Sequence, residues 1–352
     1  KMGIDNGFDS TPHSTFKDLG FNLTKHNTFD VYACGGIGPN PRIGIPVAHD
    51  VAPEDVLYHV KAMLMVFANH GNFKNRGKAR TCYMPAEMGG AEAFIKIYEE
   101  TLAMVKEVEH LTINPADYAY EITKTGKRDD SVENYRIHRQ KQEGLYYVEY
   151  HPAGGDANVE HLLAALDYAV TLDQVEARIA PDQALFFINL TADEARKIAE
   201  ITDDSAENDF RRSVSCVGST ICQIGMQDSN GLLKDIFAHL EKKGVDTRKL
   251  PRLHISGCPH SCGTHQIGEI GFHGAVKLVD KKPMVAFILV DGGSEHMGSE
   301  NFGKMAGNIV ATRIPEFLES LANILNESSE PDFGTWRLTH KGDYMNLIKA
   351  FE

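Results

Sequence analysis

The chain is 352 residues long, with 42% hydrophobic and 24% charged residues and a formal net charge of −13. That length allows two or three domains with buried cores, and the ordinary composition excludes a disordered chain. An excess of 49 acidic over 36 basic residues excludes a nucleic-acid protein, whose phosphate contacts need a basic surface. No apolar run approaches the roughly 18 residues of a membrane span, since the stretch after Pro283 stops at Asp291, so a soluble chain is expected. Six cysteines, four of them in a metal-like pattern, fit a reducing cytoplasm. The first residue is Lys1 rather than methionine, so a removed targeting segment is compatible with the sequence, and a cytoplasmic location is expected from chemistry alone.

Residues 1–33 read as short extended segments, and the last of these, 30–33, runs into the glycine-rich loop Cys34-GGIGPNPRIG. The fingerprint G-x-G-x-x-G does not occur there, so the loop reads as a tight turn rather than a nucleotide site. Asp50 and Pro53 signal a helix start. Val56, Leu57, Val60, Leu64 and Phe67 then recur at helical spacing, which predicts a buried helix ending near Gly71. Arg76, Lys78 and Arg80 follow at alternate positions. On an extended strand they would share one side, as an anion-binding wall requires; a solvated basic turn is the rival reading. Cys34 and Cys82 stand alone, and a lone cysteine is more often a small buried hydrophobe than a ligand. A second helix is expected over 89–110, with Phe94, Ile97, Leu102 and Val105 inward. Residues 111–142 are polar, carry charge runs and read as a linker.

From Leu145 the pattern is strand, helix, strand, strand, helix, the last opening at Thr191 with acids in its first turn. That order is a compact α+β unit of ferredoxin-like type. Beyond it, Cys216 and Cys222 fall in a loop before a helix over 229–243, and Cys258 and Cys262 follow the strand that begins at Leu253. Strands over 267–273 and 285–291 come next, then a last amphipathic helix over 315–325.

Four thiolates are the usual complement of a [4Fe-4S] cluster, and a proline directly after a ligand cysteine, here Pro259, recurs in bacterial ferredoxin runs. Zinc is the first rival, but its paired cysteines are spaced by roughly two to four residues, and five separate Cys216 from Cys222. A disulfide framework belongs to small secreted domains that cannot bury a core.

C-x5-C followed by C-x3-C, in the contexts SCVGSTIC and HISGCPHSCG, closely resembles the siroheme-dependent nitrite and sulfite reductase family. The resemblance implies that Cys216, Cys222, Cys258 and Cys262 hold a [4Fe-4S] cluster and that Cys262 also bridges to the siroheme iron. It implies six-electron reduction of sulfite to sulfide or of nitrite to ammonia, with ferredoxin or a reductase subunit as electron donor. Many family members have Asn where this chain has His260, which puts His260 at a cofactor-binding position. Arg76, Lys78 and Arg80 look like a basic segment that lies near the siroheme carboxylates in that family. Lys1 suits the family's distal lysine motif, which implies a catalytic role toward the anion. The alternatives are a [4Fe-4S] electron-transfer protein without siroheme, and a zinc-binding structural module.

Two stretches echo one another: Pro12-HSTFKDLGF and Pro259-HSCGTHQIGEIGF, with Thr15 placed opposite Cys262. The expected fold is therefore α+β, a tandem-duplicated nitrite/sulfite reductase fold. Residues 1–130 would be the back part of a first α/β domain that has lost its cluster ligands. Residues 143–208 would be a ferredoxin-like half-unit, and 209–352 the cluster and siroheme domain. Family members are longer at the N-terminus, so the N-terminal part of the same polypeptide is expected as a missing partner.

Overall fold

The computed structural model describes residues 1–7 and 11–352. Its first sheet is built from β1 (Met2–Asp5), β2 (Leu19–Leu23), β3 (Phe29–Ala33) and β4 (Ile45–Val51), in that order. β1 and β2 are parallel and the other pairs antiparallel. Three helices follow: α1 (Val56–His70), the single turn α2 (Met84–Glu87) and α3 (Ala91–Val108). Phe21, Val31 and Ala33 from the sheet bury with Ala62 and Val66 of α1 and Phe94, Tyr98 and Val105 of α3. These elements form one compact unit, Lys1–Glu121 with Glu295–Glu300; the other is Ile122–Ser294 with Asn301–Glu352.

α1 ends beside Gly71 as its spacing predicts, but its inner face is different. Leu64 is 62% and Leu57 41% exposed, while Tyr58, His59, Ala62, Met63 and Val66 turn inward. Apolar periodicity overlooks Tyr58 and His59 because it counts their polar tips. Those tips are satisfied inside: Tyr58 Oη accepts from the Leu111 amide at 3.1 Å, and His59 Nδ1 lies 2.8 Å from Tyr98 Oη.

The second unit opens with β5 (Ile137–Arg139), β6 (Tyr146–Tyr150), α4 (Val159–Ala169), β7 (Glu176–Ile179), β8 (Leu185–Leu190) and α5 (Ala192–Ile201). The sheet order is β5-β6-β8-β7, every pair antiparallel, and a Thr191–Glu194 capping box starts α5. This is the expected ferredoxin-like half-unit, with one correction. Residues 111–142 are a linker only in part: the boundary between the units falls within them, at Glu121, but beyond it β5 forms the sheet edge and Lys124 Nζ sits 2.7 Å from Glu194 with only 8% of its side chain exposed.

The sheet that carries the cysteines contains β9 (Val214–Ser215), β10 (Leu253–Ser256), β11 (Ile270–Val279), β12 (Lys282–Asp291) and β13 (Lys304–Val310), ordered β13-β12-β11-β10-β9. α6 (Ser229–Lys243) and α7 (Ile314–Glu327) cover it, and Leu233, Ile236 and Leu240 of α6 pack with Phe272, Leu289, Phe317 and Leu321. The helix expected over 315–325 is not the last. α8 (Phe333–Thr339) and α9 (Lys341–Phe351) bury Trp336, Tyr344 and Ile348 in the same core.

The two sheets repeat one another. Met2 pairs with Leu19 and Leu253 with Ile270 in parallel ladders of identical spacing, and antiparallel hairpins follow both. Gly20 and Gly271 occupy matching places. A Cβ on Gly20 would collide with the Ser14 carbonyl oxygen, and one on Gly271 with that of His265. Before each glycine, a left-handed residue, His13 or Thr264, accepts from the amide three residues on. This register corrects the sequence alignment: Cys262 falls opposite Thr11, not Thr15. Pro-His-Ser stands at different distances from the two strands, so anchoring on it shifts the comparison.

Burial holds the His59 imidazole down at about 4, with the nearby Lys106 charge adding to the effect. The folded state therefore binds fewer protons than the unfolded chain from about pH 6.5 down to about pH 4, and stability falls as pH drops through that window. We expect the wild-type chain to lose on the order of 3 kcal/mol more than His59→Gln between about pH 7 and about pH 4. Urea unfolding at both pH values measures the difference.

Candidate metal centre

Ser215 of β9 pairs with Ile255 of β10 in a parallel ladder, so the chain leaves both strands at neighbouring carboxyl ends. Cys216 follows the first strand directly, and Gly257-Cys258 the second. Open parallel sheets gather their binding groups at such ends. The Cys216 amide donates to the Ile255 carbonyl at 3.0 Å, and the Gln227 amide to the Gly257 carbonyl at 2.9 Å, which ties the Cys216–Cys222 loop to the second cysteine strand. Cys222 is held within that loop by its own amide on the Gly218 carbonyl at 2.9 Å. Gly218 is left-handed, φ 67°, and a Cβ there would come within 2.7 Å of the Ser229 nitrogen at the start of α6.

Across the sheet end, the Cys258–Cys262 loop turns through Ser261 at φ 60°. Its return is fixed by Ser256 Oγ, which accepts from the Gly263 amide at 3.0 Å and pairs with His265 Nδ1 at 2.9 Å. None of the six cysteines is in a disulfide. Cys258 is buried, Cys216 and Cys222 are half-buried, and Cys262 is exposed. The Gly257 amide donates to Cys216 Sγ at 3.1 Å, and Ser229 Oγ also lies 3.1 Å from that sulfur. His260 is exposed, with Nδ1 3.3 Å from Cys258 Sγ.

Among the described residues, His161, Asp203 and Asp204 are the one group of three or more potential ligands whose donor atoms all lie within 4.8 Å of one another. No three of the four sulfurs are that close. A tetrahedral zinc with sulfurs at about 2.3 Å would hold them all about 3.8 Å apart. Soft sulfur donors with an N–H donor on one of them suit a thiophilic metal centre, whether zinc or an iron–sulfur cluster.

The basic trio does not lie on an extended strand. Arg76–Lys78 is a turn of 3-10 helix, capped by Asn75, whose Oδ1 accepts from the Gly77 amide at 3.0 Å. Residues two apart on such a turn do not share a side. Arg76 and Lys78 are exposed, while Arg80 is half-buried and donates from Nη1 to the Ile37 carbonyl at 3.2 Å. Lys1 is exposed. Lys1 and the trio belong to the first unit and the four cysteines to the second. Cys34 and Cys82 are buried, and burial pushes both thiols up, as expected of small inert hydrophobes.

Sequence reading missed Gln183. Its Nε2 donates to the Ser215 carbonyl at 2.7 Å and the Gly154 carbonyl at 3.0 Å, and its Oε1 accepts from the Ser215 amide at 3.1 Å. One side-chain amide thus does for Ser215 what a neighbouring strand would, immediately before Cys216. No local signal marks it, because its partner lies far along the chain.

Known proteins resemble both halves of the chain to different degrees. A family model described as the nitrite and sulphite reductase 4Fe-4S domain matches residues 1–106, which contain Cys34 and Cys82 but not the four clustered cysteines. Ferredoxin–nitrite reductase of Synechococcus elongatus is 27% identical over 91% of this chain and 62% of its own length. A sulfite reductase hemoprotein beta-component from Methylobacterium radiotolerans is 26% identical over 85% of this chain and 46% of its own. The solved structure of the Mycobacterium tuberculosis NirA protein superposes with a TM-score of 0.73 at 20% identity, over 94% of this chain and 61% of that one. The fold is thus the nitrite/sulfite reductase fold, and the chain is similar to nitrite and sulfite reductases along most of its length. It spans about half to three-fifths of the length of the relatives it matches.

Replacing Gln183 by Ala removes the hydrogen bonds that hold Ser215. We expect a loss of about 2 kcal/mol in the stability of the second unit, measured by denaturant unfolding.

Proposed function

We propose that Cys216, Cys222, Cys258 and Cys262 hold a [4Fe-4S] cluster, that Cys262 shares its sulfur with the iron of a siroheme, and that the assembled protein reduces nitrite or sulfite by six electrons. The observation that carries this reading is the set of four unbridged thiols at the carboxyl ends of two adjacent parallel strands, in a chain similar to nitrite and sulfite reductases. When bound, the cluster and siroheme supply the electrons to the anion. The chain's own residues bind and orient. Exposure of Cys262 leaves its sulfur open to a second metal, whereas the burial of Cys258 does not. The Gly257 N–H compensates part of the thiolate charge at Cys216.

His260, exposed and next to Cys258, is proposed to lie against the macrocycle. Arg76, Lys78 and Arg80 are proposed to meet its carboxylates, with Arg80 the most firmly placed through Ile37. Lys1 is proposed to face the anion and help supply protons. Relatives named for nitrite and for sulfite reduction match at similar identity, so both anions remain within the reading. Several are named as ferredoxin-dependent, and a ferredoxin is the proposed donor. No helix among the described residues is long and apolar enough to cross a membrane; cytoplasmic residence is proposed from the reduced thiols.

Anaerobic purification with iron, sulfide and siroheme quantified, followed by turnover of each anion with reduced viologen, tests the reading. We expect about four cluster irons per chain and siroheme absorption bands. Cys262→Ser should lose the coupling between the two centres and fall at least about 100-fold in turnover, because a hydroxyl bridges soft iron centres poorly. Stoichiometric zinc in place of iron, or wild-type turnover in Cys262→Ser, would overturn it.

A further inference from the structure

Ser229 is fully buried at the first position of α6, and its hydroxyl faces two acceptors on one residue. Oγ lies 2.8 Å from the Cys216 carbonyl oxygen and 3.1 Å from the Cys216 sulfur. A hydroxyl has a single proton to give. While Cys216 is a thiol, both contacts are satisfied, since the hydroxyl donates to the carbonyl and the S–H can donate to Oγ. A metal-bound thiolate has no proton and carries negative charge, so it competes with the carbonyl for the hydroxyl proton and wins as a charge-assisted acceptor. Water cannot take over this task at a serine with 0% exposure. The start of α6, where the Asp228 side chain accepts from the Gly231 amide, fixes the serine backbone, so only the hydroxyl rotor needs to move.

We propose that Ser229 is a positioning residue that sets the reduction potential of the metal centre by donating its hydroxyl to the Cys216 thiolate. This rests on Cys216 being a cluster ligand. Adding one electron increases the negative charge on the ligand sulfurs, so a donor there stabilises the reduced form more than the oxidised form and raises the potential. No protein bond forms or breaks; the hydroxyl turns from the carbonyl to the sulfur. The Gly257 N–H serves the same sulfur but is fixed in the backbone, which leaves Ser229 as the side-chain contribution open to substitution.

The test is a mediated potentiometric titration of the full chain with dithionite as reductant, followed by the paramagnetic signal of the reduced cluster. Ser229→Ala is expected to make the reduction equilibrium tenfold less favourable, a fall of about 59 mV for one electron, with unchanged iron and sulfide content. Ser229→Thr keeps the hydroxyl and is expected to hold the wild-type potential. Should Ser229→Ala fail to load, Ser229→Cys, whose thiol is a weaker donor, is titrated in its place and is expected to show a smaller fall. An unchanged potential in the loaded Ala or Cys variant overturns the role of Ser229 and leaves the cluster assignment standing. A wild-type chain without iron and sulfide overturns the cluster assignment itself.

Discussion

The parallel pairing of β9 with β10 is the constraint on which the rest depends. It is only two residues long on the β9 side, yet it decides that Cys216 and Cys258 emerge next to each other although 41 positions separate them in sequence. The first cysteine loop is then fastened to the second strand: the Cys216 amide reaches the Ile255 carbonyl, and the Gln227 amide reaches that of Gly257. A short ladder is weak alone, and what secures it here is the Gln183 amide on one side and the long β10–β11–β12 sheet on the other. The cysteine loops are thus anchored by three separate stretches of chain that meet at one sheet end.

Duplication explains why the first unit has the same frame without the same chemistry. The glycine that lets a carbonyl approach the second strand recurs as Gly20 and Gly271, and so does the left-handed residue before it. These features serve backbone packing and are kept in both copies. Thr11 stands where the second copy has Cys262, which shows that the frame folds without a thiol at that place. Cys34 of the first unit lies in the apolar core and Cys82 is buried near Arg80, and burial pushes both thiols up, so both stay protonated.

Much of this was legible in the sequence where the signal is local. The helix over 229–243 is bounded by Asp228, which caps its start, and by left-handed Gly244 at its end, and both are visible as residue types. The half-unit from β6 to α5 was equally readable from alternation and the Thr191 cap. Failures came where one pattern serves two conformations. Alternate basic residues suit a strand, but an Asn at the cap and a glycine after Arg76 suit the observed 3-10 turn equally well. β5 was hidden because a polar edge strand need not alternate, and α8 and α9 because their buried residues, Phe333, Trp336, Tyr344 and Ile348, are sparse among polar ones. Within the site, the cysteines were found by spacing. Gln183 and Ser229 were not, since their contacts with Ser215 and Cys216 exist only after the chain has folded back.

Gln183 also orders events in time. During synthesis the half-unit containing β8 emerges first, and its residues can close into a sheet before β10 has left the ribosome. At that moment the Gln183 amide can already hold Ser215, while the loop from Cys216 to Cys222 still lacks the Ile255 and Gly257 carbonyls that tie it down. On the proposed assignment of the four thiols, metal loading would belong to the end of maturation, after the last strands have closed over β10. A machinery that delivers a preformed centre would find a nearly finished receptor rather than a nascent chain.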